Sequence, residues 1–222
     1  MPVSDIVLAA AEIMGTIAFA LSGAMVAIDR RLDLFGVLFL AVTTALGGGT
    51  IRDILIGKLP PGMFYNYYYV AIAILSALLL FIWVSCRVQH YLDHRRSIDR
   101  ILNLFDAIGL GVFSVVGTQT GIDAGHGANA FFCVFLGMTT GVGGGILRDL
   151  LARQTPYVFV KHIYAIAAIV GALLYFALVQ WLHVDPSVAV FIAIGTVTAI
   201  RMLSSRFQWD LPKVKLPGPN RF

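Results

Sequence analysis

The sequence predicts an all-α integral membrane protein: seven transmembrane helices, built as two inverted three-helix repeats plus a seventh helix. Three observations predict this. The 222 residues are 59% hydrophobic and only 13% charged; several apolar stretches are long enough to span a bilayer; and an internal repeat carries the pattern GGGxxRD in both copies. A soluble globule of this size needs far more polar surface than such a composition supplies. A helix rises about 1.5 Å per residue, so about 18–25 apolar residues are needed to cross roughly 30 Å of hydrocarbon.

Seven segments meet that requirement or fall one residue short of it: 6–28, 34–57, 65–86, 104–120, 128–151, 162–182 and 186–202. The first lacks the basic leader of a secretory signal and exceeds the length of a signal's apolar core, so it is expected to remain as a span. The second and fifth carry the glycine triplets Gly47, Gly48, Gly49 and Gly143, Gly144, Gly145. A basic loop with Arg87, Arg95, Arg96 and Arg100 follows the third. The sequence after Met202 is polar, basic and proline-rich, with Phe207 and Trp209 placed to anchor at the interface, and is expected to be a tail without a fold of its own. The chain thus divides into 1–103 (first repeat and basic loop), 104–183 (second repeat), 184–204 (seventh span) and 205–222 (basic tail). Cys86 and Cys133 lie in apolar segments without metal-ligand spacing and are read as packing residues.

An odd number of spans puts the termini on opposite sides. The 16 Lys and Arg residues then divide 14 to 2, with Arg52 and Lys58 alone on the sparse side. The positive-inside rule places the N-terminus outside and the C-terminus in the cytoplasm. The net charge of +4 belongs to these short loops rather than to one soluble face, which argues against a nucleic-acid partner.

Shifted by 96 residues, Thr43–Pro60 falls on Thr139–Pro156 with nine of 18 positions identical. A shift of 94 matches Glu12 with Asp106, Gly15 with Gly109, Phe19 with Phe113, Gly23 with Gly117 and Asp29 with Asp123. Three spans per repeat invert the second copy relative to the first, and the functional centre of such folds lies where the halves meet. Three consecutive glycines weaken a helix by about 0.8–1 kcal/mol each relative to alanine. A kink or unwound turn is expected there, freeing carbonyls suited to a cation and amides suited to an anion. The alternative is that these small residues serve close helix packing.

Thr43, Thr44, Thr139 and Thr140, one turn earlier, are candidates to line a pore; the alternative is that they bond the preceding turn's carbonyls. Arg52, Asp53, Arg148 and Asp149 lie one turn beyond the triplets and must be paired or wet. Neighbouring helical residues point about 100° apart, so the expected partners are across helices: Glu12 and Asp106, or Arg52 with Asp149 and Arg148 with Asp53. Such pairs can be a structural lock, a pathway lining, or both. An enzyme is disfavoured: His90, His94, His126, His162 and His183 show no metal-binding spacing, and GGGxxRD lacks the Lys-Ser/Thr of a phosphate loop.

Two three-helix units, each with GGGxxRD on its second helix, followed by a seventh helix, resemble the prokaryotic branch of the trimeric intracellular cation (TRIC) channels. Their repeat unit is also labelled a glycine transporter domain. The resemblance covers residues 6–202. It implies a homotrimer in the lipid bilayer of a prokaryote's cytoplasmic (inner) membrane, with one pore per protomer, bracketed by glycine-kinked second and fifth helices, that passes K+ or Na+ without a cofactor. The lysine- and glutamate-containing motif of the animal members is absent. A secondary transporter for a small amino acid such as glycine is the alternative function, and a trimeric scaffold is a third.

Overall fold

The structure, a computed structural model, describes residues 3–160 and 163–209, the side chains of residues 96 and 160 excepted. Lys161, His162 and the 210–222 part of the tail, with Lys213, Lys215 and Arg221, lie outside the described residues. Among the described residues seven helices are long and apolar enough to cross a membrane, and there is no strand. They are α1 (Val3–Asp29), α2 (Leu34–Leu55), α3 (Tyr67–Cys86), α4 (Arg95–Gly121), α5 (Ala130–Leu151), α6 (Tyr164–Phe176, which reaches membrane-spanning length with the π turn Ala177–Trp181 that continues it) and α7 (Pro186–Phe207). Shorter helical turns at Gly62–Phe64, Val88–Asp93 and Tyr157–Val160 lie in the connections.

The helix starts follow from the sequence. Asp33 and Asn129, also 96 residues apart, cap α2 and α5 by accepting from the amides of Gly36 at 2.8 Å and Phe132 at 3.0 Å. Asp185 caps α7 in the same way, accepting from Ser187 N at 2.8 Å, with Pro186 in the first turn. Two ends differ from expectation. α4 begins at Arg95 rather than near 104, because the basic loop joins the apolar stretch as continuous helix, and α7 continues to Phe207, so 203–207 are helix and not tail. Cys133 is buried as expected, but Cys86 is exposed at the end of α3, where the chain leaves the bundle.

α4 is the most interior helix, with 67% of its apolar window buried against 22% for α3. It packs on α5, α1 and α7, while α2 packs on α5 and α1. Helices α1, α2, α4 and α5 therefore form the centre, α3 and α6 flank it, and α7 covers α4 and α6. The halves use the same contacts reciprocally. Gly23 of α1 faces the Thr44 hydroxyl of α2, and Gly117 of α4 faces that of Thr140 in α5. Gly15 faces Phe113, and Gly109 faces Phe19.

The glycine triplets do not unwind. Both α2 and α5 run as uninterrupted α-helix through them, so the expected freed carbonyls and amides are not present. The glycines are instead the surface on which the two helices cross. A Cβ on Gly48 would overlap the carbonyl oxygen of Thr140, and one on Gly144 would overlap that of Thr44. A Cβ on Gly143 would sit 3.1 Å from the Gly48 Cα. Small residues let backbones approach this closely in lipid, where dispersion rather than water exclusion holds helices together. Packing on both faces offsets the weak helix propensity of glycine.

Because the colliding atoms are backbone, they cannot rotate aside. Gly48→Ala and Gly144→Ala are expected to destabilise the protein by at least about 2 kcal/mol, read as a lower melting temperature in detergent. Gly195→Ala on α7, where an added Cβ meets nothing within 4 Å, should leave the melting temperature unchanged or raise it.

Candidate functional site

Two polar cavities enter the helix bundle from opposite ends. The N-side cavity, about 230 Å³, lies among α1, α2, α3 and α4; Glu12, Thr16, Arg52, Asp53, Lys58 and Tyr69 carry its polar lining. The C-side cavity, about 450 Å³, lies among α1, α4, α5 and α7; Ser22, Asp29, Asn103, Asp106, Arg148 and Arg201 do the same there. Both share α1 and α4. Between them Phe19 and Phe113 stand with ring centroids 5.2 Å apart. Each ring lies in the notch left by the other helix's glycine, which is why the sequence keeps Gly15 with Phe19 and Gly109 with Phe113 four residues apart on one helix face.

The charged half of each GGGxxRD motif closes the last turn of its helix. Asp53 accepts from Gly62 N at 2.7 Å and Asp149 from Tyr157 N at 2.8 Å. Each carboxylate thereby ties the end of its helix to the following connection. The other oxygen of each takes the neighbouring arginine: Arg52 Nε and a terminal nitrogen reach Asp53 Oδ1 at 3.0 and 2.8 Å, and Arg148 Nε reaches Asp149 Oδ1 at 2.8 Å. This corrects the expectation that neighbouring residues could not pair. Their Cβ directions diverge, but an aspartate fixed by a backbone amide holds still while the long arginine stem curls back to it. Arg52 does not pair with Asp149, nor Arg148 with Asp53.

The repeats then diverge. Arg148, 1% exposed, also donates to Asp106 Oδ1 at 2.8 Å and to the Ser22 hydroxyl at 2.6 Å, and its guanidinium lies 5.3 Å from the Tyr157 ring centroid. In the first repeat Glu12, the counterpart of Asp106, accepts from the Tyr69 hydroxyl at 2.6 Å, and Arg52 remains 12% exposed in its side chain. Both arginines border a cavity, but Arg148 is built into the core between α1, α4 and α5 whereas Arg52 is the more exposed of the two.

Thr44 and Thr140, candidates to line a pore, are buried and donate to the carbonyls of Leu40 and Leu136, both at 2.6 Å. Thr43 and Thr139 are half-buried and line neither cavity. Of the six triplet glycines, Gly49 alone lines either of these two cavities. Sequence reasoning missed Ser22, Tyr69 and Arg201. Tyr69 recurs as Tyr164, 95 residues on, near the start of the third helix of each repeat, a signal that was available. Arg201 was counted with the cytoplasmic charges, yet it is 2% exposed, donates to Asn103 Oδ1 at 3.3 Å and lies 4.5 Å from the Tyr164 ring centroid. Among the described residues no group of three or more His, Cys, Asp and Glu side chains could hold a metal.

The family model described as glycine transporter matches the chain twice, over residues 9–85 and 103–180, one match per repeat. The chain is 40% identical over 209 residues to the UPF0126 membrane protein of Deinococcus radiodurans, covering 93% of this chain and 91% of that one. A solved TRIC cation channel superposes with a TM-score of 0.80 at 34% identity, over 94% of this chain and 97% of that one. The TRIC trimeric intracellular cation channel orthologue from Rhodobacter sphaeroides superposes with a TM-score of 0.80 at 28% identity, over 91% and 99% of the two chains.

Removing one member of a buried charge cluster leaves the others uncompensated, at a cost of about 3–5 kcal/mol. Arg148→Ala is expected to lose stability on that scale, or to fail to yield folded protein. Arg52→Ala should lose clearly less, because water can reach Asp53's surroundings. Melting curves of the two purified variants compared with the parent check the difference.

Proposed function

From a chain that belongs to the prokaryotic TRIC family, whose repeat unit is the one described as glycine transporter, we propose a cation channel: a homotrimer in the bilayer with one ion path through each protomer. The observation that carries this reading is the pair of polar cavities entering from opposite ends and facing each other across Phe19 and Phe113. Two vestibules and a narrow waist form an hourglass, and a fixed narrowing suits conduction better than the rocking of one repeat against the other that a carrier requires.

The path runs along α1 and α4, past Glu12 and Thr16 on one side of the waist and Ser22 and Asp106 on the other. The crossing of α2 and α5 braces the waist from the side: a Cβ on Gly144 would lie 3.5 Å from the Phe19 ring. The glycines therefore bracket the path without opening it themselves. Potassium is the proposed permeant ion, with sodium the competing monovalent cation, and no cofactor takes part. By the positive-inside rule the C-side cavity, the N-terminal end of α4 and the C-terminal end of α7 face the cytoplasm.

The purified trimer in a planar bilayer under a KCl gradient should give unitary currents that reverse toward the potassium equilibrium potential, and Phe113→Leu should raise the unitary conductance. Folded trimers that pass no current would overturn the reading. Saturable, ion-coupled glycine uptake into proteoliposomes at carrier rates would support the activity for which the family model is named.

A further inference from the structure

The two approaches to the waist are built on matching residues but differ in charge. On α1, Glu12, Thr16 and Phe19 stand at i, i+4 and i+7, one helix face that leads to the waist from the N side. Their counterparts 94 residues on, Asp106, Leu110 and Phe113, repeat that face on α4 from the C side. Phe113 lines the N-side cavity together with Glu12 and Thr16, so this cavity reaches the waist. A carboxylate thus stands two turns before the aromatic ring of each helix, but a hydroxyl stands between them on α1 alone, where α4 has leucine.

The two carboxylates are satisfied differently. Asp106 takes Arg148 at 2.8 Å, and both are buried. Arg52, the counterpart of Arg148, directs both its bonds to Asp53 and does not reach across to α1. Glu12 instead accepts on Oε2 from the Tyr69 hydroxyl, a neutral donor, at 2.6 Å. Among the described residues no Lys, Arg or His nitrogen lies within 4.0 Å of Glu12, and no group donates to its Oε1. Lys58 also lines this cavity, but as an exposed side chain whose charge the solution screens. An acid within a membrane span is paired, wet or in contact with what passes. Thr16 gives its proton to the Glu12 carbonyl at 2.8 Å, which leaves the lone pairs of its hydroxyl oxygen available to a cation.

We propose that Glu12 and Thr16 bind a partly dehydrated monovalent cation in the N-side cavity, and that the Glu12 carboxylate sets the preference for cations over anions. Carboxylates at a constriction select cations by charge, and oxygen donors replace the water that the ion gives up. Tyr69 is a positioning residue: it holds one oxygen of Glu12 and leaves the other to the ion. The selectivity role rests on the channel reading; the binding site does not, and the two are tested separately.

Both tests use the full chain. In planar bilayers under a KCl gradient, Glu12→Gln keeps an acceptor for Tyr69 while removing the charge, and is expected to lower the ratio of potassium to chloride permeability about ten-fold, moving the reversal potential toward zero. Asp123→Asn removes an exposed carboxylate that lies at the same end of the bundle and lines neither cavity, and should leave the reversal potential unchanged. In crystals soaked with thallium, a monovalent cation with strong anomalous scattering, a peak is expected beside Glu12 and Thr16, lost in Glu12→Gln and weakened in Tyr69→Phe. Tyr69→Phe should nevertheless retain the parent's permeability ratio, because the charge is still present. A folded Glu12→Gln trimer with the parent's reversal potential overturns the selectivity role, and a parent without a thallium peak at Glu12 overturns the site. If Glu12→Gln does not fold, Thr16→Val, which keeps the charge and removes the hydroxyl, decides by whether the peak is lost. If the parent protein passes no current, the channel reading falls and the thallium peak alone judges the site.

Discussion

The crossing of α2 and α5 is the constraint on which the rest depends. At Gly48 and Gly144 each helix presents a bare backbone to the carbonyl of a threonine on the other, so the distance between the two helices is set by main-chain atoms. Such a contact admits almost no adjustment, since interiors pack as densely as organic crystals. It also fixes α1 and α4, because the same two threonines seat their side chains against Gly23 and Gly117. The position of Phe19 and Phe113 between the cavities follows from that arrangement.

The charges sit at the perimeter of this rigid centre and show how one motif can serve two ends. Arg148 donates to Asp106, Asp149 and Ser22 at once, which makes a buried cation tolerable by surrounding it with acceptors. Arg52 has the same neighbour in sequence but a less enclosed setting, since Glu12 is engaged by Tyr69. Inverted repeats start equal; here an exchange of partners leaves one arginine fully enclosed by acceptors at the base of its cavity and the other more exposed in its own.

The span count, the repeat and the inversion were legible because hydropathy and the 96-residue self-match are long-range patterns that survive any local detail. The matched pairs Gly15 with Gly109 and Phe19 with Phe113 were legible as pairs, though not as notch and ring, since which glycine receives which aromatic depends on how α1 meets α4. The glycine triplets were misread as breaks because propensity in isolation counts the cost of glycine and cannot see the partner helix. The Arg–Asp neighbours were misread because angular separation on a helix describes Cβ directions and ignores the reach of arginine once its partner is pinned by Gly62 or Tyr157. Arg201 and Ser22 give no pattern along the chain: the folding of α7 over α4 brings the first to the C-side cavity, and the approach of α1 to α5 brings the second to Arg148.

The ion pair between sequence neighbours bears on how the chain is made. Synthesis delivers α2 to the bilayer long before α5 exists, so any neutralisation of Arg52 that relied on the second repeat would come late. Arg52 and Asp53 cancel each other as soon as their own helix turn and the following Gly62 connection have formed. Each half thus reaches the membrane already electrically self-contained, and the late arrival of its mirror image completes the packing without having to rescue a stranded charge.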